Sequence, residues 1–182
     1  MFVTILLAAG MLALEREENA FLRLVRGLVS RLALLVEKIA LAALCAFPVA
    51  LAMMAGISLF VSLQWSHFPL WVVGLAVGAV AFGAMGVAIG GVTREVRAAS
   101  LMAFGVSLPI AFLALVPSGS VSKGVYDVIS VISAAFPFKP TLDAMNHALS
   151  GTGSDMLLPL GHLLVLAAAF TAIARLALRR FA

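Results

Sequence analysis

The chain has little of what a water-soluble enzyme is built from. Only 11% of its 182 residues are charged, with eight acidic side chains, three histidines and a single cysteine. Soluble domains carry about a quarter charged residues, so an ordinary water-facing surface is excluded. One cysteine excludes a disulfide or zinc framework. Cys45 falls in an apolar run and is expected as a small buried hydrophobe. His67 has no second metal-type residue near it and reads as a wet loop residue. There is no G-x-x-x-x-G-K-[ST] run. Gly86-x-x-x-Gly90-Gly91 has no Lys-Ser/Thr after it and no strand before it, so the chain is expected to hold no nucleotide and no cofactor. No H-E-x-x-H, no serine beside a base and no carboxylate pair lies in the apolar runs, which leaves a membrane-embedded enzyme as the weakest reading. Asp143 and His147 sit one helical turn apart, a pairing that an exposed polar face explains more cheaply.

What the chain has instead is hydrocarbon. Hydrophobic residues make up 64%, which together with the run lengths implies an all-α, polytopic integral membrane protein. The apolar runs are 1–14, 40–63, 71–92, 98–116 and 156–174, about five spans in one transmembrane domain covering 1–182. The first run makes about 21 Å of helix against a hydrocarbon core of about 30 Å. It has no basic n-region, so it reads as the later part of a span whose beginning is missing, not as a signal peptide. Pro48 and Pro109 fall inside spans, and Trp65 and Trp71 flank a short turn at interfacial depth. His162 lies inside the last run, where an ionisable residue is either functional or bonded to nearby backbone. Run 71–92 is rich in glycine. Gly74 and Gly78 share one face, and Ala79, Gly83, Gly86 and Gly90 share another. Two such small-residue stripes let two neighbouring backbones come close.

One polar interruption organises the rest. Nine of the charged residues lie between Glu15 and Lys38. Within it Phe21, Val25, Leu28, Leu32, Leu35 and Ile39 step by four and three along one stripe, while Arg23, Arg26, Ser30, Glu37 and Lys38 fall on the other side. That pattern predicts one or two amphipathic helices at a membrane surface, either a plain linker or a docking element for a soluble partner. A plain cytoplasmic linker is usually basic, because it lies against anionic lipid. Here Glu15, Glu17 and Glu18 come first, and they are expected in a first helical turn, where the dipole favours them.

Residues 121–152 are too polar to span and too apolar for an ordinary loop. Helices are expected over 125–135 and 141–149, broken by Phe136-Pro137-Phe138-Lys139-Pro140, with Thr141 as a cap and Gly151 as a stop. Such a pair is either a re-entrant hairpin or a surface one. Charge bias sets the orientation. With the 15–38 elbow inside the cell, ten basic residues lie inside and only Lys123 and Lys139 outside. The net charge of +4 is therefore a topology signal, and no nucleic-acid partner is expected.

The order of these parts resembles the type-2 ATP-binding-cassette (ABC) exporter permeases, over essentially the whole chain but only the later five of that family's usual six spans. Glu15-Arg16-Glu17-Glu18 followed by Phe21-Leu22-Arg23-Leu24 is similar to the family's acidic elbow. Ser30-Arg31, Leu34-Leu35 and Lys38 are similar to its continuation. Phe136-Pro137 and Thr141-Leu142-Asp143-Ala144 are similar to the stretch before its last span. Asn19-Ala20 stands where Gly-Thr is common, and Arg26-Gly27 where a proline turn is frequent. The resemblance implies a permease subunit of an ATP-driven exporter, and the high Arg-to-Lys ratio with the Ala/Val/Leu/Gly bias points to a bacterial cytoplasmic membrane. The resemblance also implies a separate cytoplasmic ABC ATPase as partner, a second permease copy or paralogue, and membrane lipid around both. The expected ATPase-coupling residues are Glu15, Glu17, Glu18, Phe21, Leu22 and Leu24, the expected helix-packing residues Gly74, Gly78, Gly83, Gly86 and Gly90, and the expected cargo amphiphilic, lipid-like or drug-like. The alternative is a membrane scaffold that binds a cytoplasmic partner through the elbow without transporting.

Overall fold

The computed structural model describes residues 1–17, 30–60, 64–117 and 119–179. Among them it has seven α-helices, one 3-10 turn and no strand. They are α1 (Phe2–Glu17), α2 (Arg31–Ser58), the 3-10 turn Trp65–His67, α3 (Phe68–Val92), α4 (Val96–Ala114), α5 (Lys123–Ala134), α6 (Phe138–Ser150) and α7 (Leu157–Arg179). Among the described residues four segments are long and apolar enough to cross a bilayer: Arg31–Ser58, Trp65–Val92, Val96–Ala114 and Leu157–Arg179. With 16 residues, α1 is about 24 Å long and falls short of a hydrocarbon core of about 30 Å.

The bundle is built around α3. This helix is buried along most of its length, whereas the other long helices bury one side. Its composition explains why: small residues let a helix have neighbours on every side. A Cβ on Gly86 would lie 2.5 Å from the Ile5 carbonyl oxygen, and one on Gly90 would lie 2.6 Å from that of Ala9, so α1 rests directly on these two positions. Gly83 meets the Ile39 carbonyl of α2 at 3.2 Å. The stripe expected to serve one neighbour is thus divided between α1 and α2. Gly74 faces Met156 and Met145, Gly78 faces Thr141 of α6, and Gly91 faces Ala174 of α7.

Several elements differ from the sequence expectation, each for a local reason. Residues 31–38 do not form a separate interfacial helix; they are the first two turns of α2. Ser30 caps that helix by accepting from the Ala33 N–H at 3.1 Å, and no glycine or proline interrupts it before Pro48. Lys38, expected on the polar side, is buried, and Leu32, expected on the apolar stripe, is exposed. Cys45 is exposed on the outer side of α2. Trp71 is almost fully buried, while Trp65 and Phe68, its partners in an aromatic group with ring centroids 6.0–6.2 Å apart, stay at the surface.

In the hairpin, α6 begins at Phe138, so Thr141 lies inside the helix instead of capping it. Phe138 packs edge-on against Phe82 at 4.8 Å and so anchors the chain before Thr141 is reached; Pro140 then falls within the first turn, where proline is tolerated. Gly151 does end the helix, at φ +76°, a left-handed conformation that suits glycine. His67, expected as a wet loop residue, lies in the 3-10 turn, and its Nδ1, in an exposed contact 3.3 Å from the Leu149 carbonyl, ties that turn to α6.

Candidate functional site: the charged end of the bundle

The last turn of α1 carries Glu15, Arg16 and Glu17, and each reaches a different helix. Glu15 Oε1 pairs with Lys38 Nζ of α2 at 2.5 Å, with the two side chains 19% and 11% exposed. Lys38 also lies 3.4 Å from Glu37, which is half exposed. Arg16 donates through Nη1 to the carbonyls of Gly91 at 2.6 Å and Thr93 at 2.5 Å, with Gly90 more distant at 3.4 Å. These carbonyls close the C-terminal end of α3, where helix oxygens lack intrahelical donors. A guanidinium suits the place because its Nη1 turns its N–H donors on these carbonyls and its charge complements the helix dipole. Glu17 Oε2 accepts from the Val96 N–H at 3.2 Å, at the first residue of α4. A carboxylate there satisfies an orphan donor and sits at the positive end of the α4 dipole.

The carboxylates are therefore not in a first turn of their own helix. They end α1, where the dipole disfavours them, and they are stabilised by α2 and by the N-terminus of α4. The arrangement makes a three-way clamp. The end of α1 is thus tied to the start of α2, the end of α3 and the start of α4 together. One atom stands outside this accounting: Glu15 Oε2 is buried and has no hydrogen-bond partner among the described residues. A half-satisfied buried carboxylate is costly, so the pair is sensitive to small movements of its neighbours.

Of the residues expected to couple, the structure brings Glu15 and Glu17 into this clamp. Glu18, Phe21, Leu22 and Leu24 lie outside the described residues. Sequence reasoning missed Lys38 and Arg16. For Lys38 a signal was present: Leu34, Lys38 and Ala42 are spaced by four, beside Leu35 and Ile39, so a lysine interrupts a buried stripe. For Arg16 no local signal exists, since its acceptors lie more than 70 residues away. Among the described residues no cluster of three or more metal-type side chains occurs.

A bundle of apolar helices, four of them long enough to cross a membrane among the described residues, with a charged clamp at one end is the class of protein that the fold defines. The family model of the ABC-2 family transporter proteins matches residues 1–176. The chain belongs to that family, whose permeases are the transmembrane component of the transporter and generally work with an ATPase subunit. No curated protein and no solved structure matches it.

Proposed function

We propose that this multi-pass membrane protein is the permease subunit of an ATP-driven exporter, powered by a separate cytoplasmic ABC ATPase that grips the elbow between α1 and α2. The observation that carries the reading is the clamp. The family match supports an ATP-linked transporter, and the clamp supplies a route by which force on the elbow reaches three helices. Glu18, Phe21, Leu22 and Leu24 are the residues proposed to meet the ATPase. Glu15 and Glu17, already engaged by Lys38 and the Val96 N–H, are proposed to pass the movement on. A partner shifts a two-state equilibrium only through differential affinity, so the ATPase must hold one elbow position more tightly than the other. The cargo is proposed to be amphiphilic, since the candidate spans hold few charged residues with which to bind an ion. Two permeases, identical or paralogous, would meet to form the path in a bacterial cytoplasmic membrane.

The test is co-purification. The chain, tagged at its C-terminus in its native membrane, is extracted in mild detergent, and the proteins that accompany it are identified. Expected is an ATPase carrying a phosphate-binding loop, retained by Glu15→Gln and lost by Leu22→Glu with Leu24→Glu. A folded chain that brings down no ATPase refutes the coupling reading and leaves the scaffold reading in its place.

A further inference from the structure

We propose that the groove between α2, α3 and α7 holds the acyl chain of an anionic phospholipid of the inner leaflet, with Arg175 at its headgroup. The groove has a volume of about 430 Å³ and is lined by Leu32, Val36 and Ile39 of α2, Val80 and Ala84 of α3, and five residues of α7 from Ala167 to Arg175. Two of the ten lining residues are polar. The hydroxyl of Thr171 is spent on its own helix, donating to the Ala167 carbonyl at 2.7 Å. That leaves the guanidinium of Arg175 as the polar group offered to an occupant. Among the described residues it makes no hydrogen bond or ion pair.

Charge favours an anion at this end. Arg179 follows Arg175 one turn further along α7, and Arg31 immediately precedes Leu32. Among the described residues no acidic side chain lines the groove. The nearest in sequence, Glu37, is turned toward Lys38 at 3.4 Å. The arginine-rich end is the one that charge bias puts inside the cell, where the leaflet carries anionic lipid.

The shape of the groove suits a hydrocarbon chain. Ala167 lies two turns deeper than Arg175, about 12 Å along α7, so an occupant with its charged end at Arg175 lays an apolar tail along Ala172, Ala168 and Ala167. Apart from Thr171 and Arg175 the lining is apolar, and it is open along α2, with Leu32 45% and Val36 52% exposed.

This goes beyond the coupling reading and does not depend on it, because the lipid is measured whether or not an ATPase accompanies the chain. The full chain, with whatever co-purifies, is examined by native mass spectrometry after equilibration with dioleoyl-phosphatidylglycerol or dioleoyl-phosphatidylcholine at equal concentration. Expected is retention of one phosphatidylglycerol per chain in preference to phosphatidylcholine. Arg175→Gln should weaken that retention about tenfold, as for the loss of one charge-assisted contact, while Arg97→Gln, an exposed arginine at the start of α4, should leave it unchanged. Ala172→Phe fills the groove from its exposed wall without touching the core and should abolish retention. Equal retention of the two lipids, retention by Ala172→Phe, or an equal loss in Arg97→Gln overturns the proposal. So does a Cys45→Ser, Ala172→Cys variant that crosslinks in membranes to another protein instead of reacting with a lipid-borne maleimide.

Discussion

Reversing the Glu15–Lys38 pair is the most informative perturbation of the clamp. The two side chains are 19% and 11% exposed and 2.5 Å apart, closer to a buried pair than to a surface one. Surface pairs contribute about 0.2–1 kcal/mol, whereas removing one partner of a buried pair costs about 3–5 kcal/mol. With some water still reaching both groups, Lys38→Met should cost about 2–4 kcal/mol, since it leaves the Glu15 carboxylate buried and alone. Lys38→Glu should cost more, because it places like charges together and adds Glu37 as a third carboxylate. Glu15→Lys should cost a similar amount. The double variant restores an opposite pair at the same place. It should recover about 2–3 kcal/mol of the summed loss, a coupling within the range known for residues in direct contact. The assay is unfolding of the purified chain in mixed micelles, followed by helical circular dichroism, for the wild type, the two single reversals and the swap. Recovery should stay incomplete, because Glu37 now faces a carboxylate. If the single effects simply add, the two residues do not act as a pair and the clamp reasoning fails at its first joint.

Three further outcomes test the packing and the remaining arms of the clamp. Gly86→Val puts a side chain 2.5 Å from the Ile5 carbonyl and should cost at least about 2–3 kcal/mol by displacing α1, whereas Gly10→Ala, with nothing within 4 Å, should be neutral or stabilise by up to about 1 kcal/mol; the same unfolding assay reads both. Glu17→Ala removes the acceptor from the Val96 N–H and should cost about 1 kcal/mol, seen as faster hydrogen exchange at the start of α4. Arg16→Lys replaces a fork by a point charge and should loosen the carbonyls of Gly91 and Thr93, with a loss of about 1–3 kcal/mol and increased protease access at the 93–97 turn.

The sequence made the bundle legible where hydrophobic length and small residues decide the outcome. The runs at 71–92, 98–116 and 156–174 became α3, α4 and α7, because in a bilayer an apolar run has no alternative to a helix. Within run 71–92, Gly86 and Gly90 lie at close approaches to the α1 backbone that only the lack of a Cβ permits. Legibility failed where partners are remote. Glu15 and Glu17 were assigned to a new helix by their intrinsic preference for an N-terminus, yet Lys38 and the Val96 N–H hold them at a C-terminus instead. Thr141 has the chemistry of a cap, but Phe138, anchored on Phe82, starts the helix three residues earlier. Trp71 was placed at an interface by type, and a neighbourhood including Met156 took it into the core.

The central position of α3 also bears on how such a bundle can move. Its contacts with α1 are made at Gly86 and Gly90, backbone against backbone, and nothing there can rotate aside to absorb a shift. It behaves as an axle to which α1 is keyed and around which the outer helices are hung. Relative motion then concentrates where neighbours barely touch, and the seam between α2 and α7, which the apolar groove keeps apart, is such a place. Spin labels on α1 and α3 should keep a fixed separation through a transport cycle, while a pair across the α2–α7 seam should report two distances.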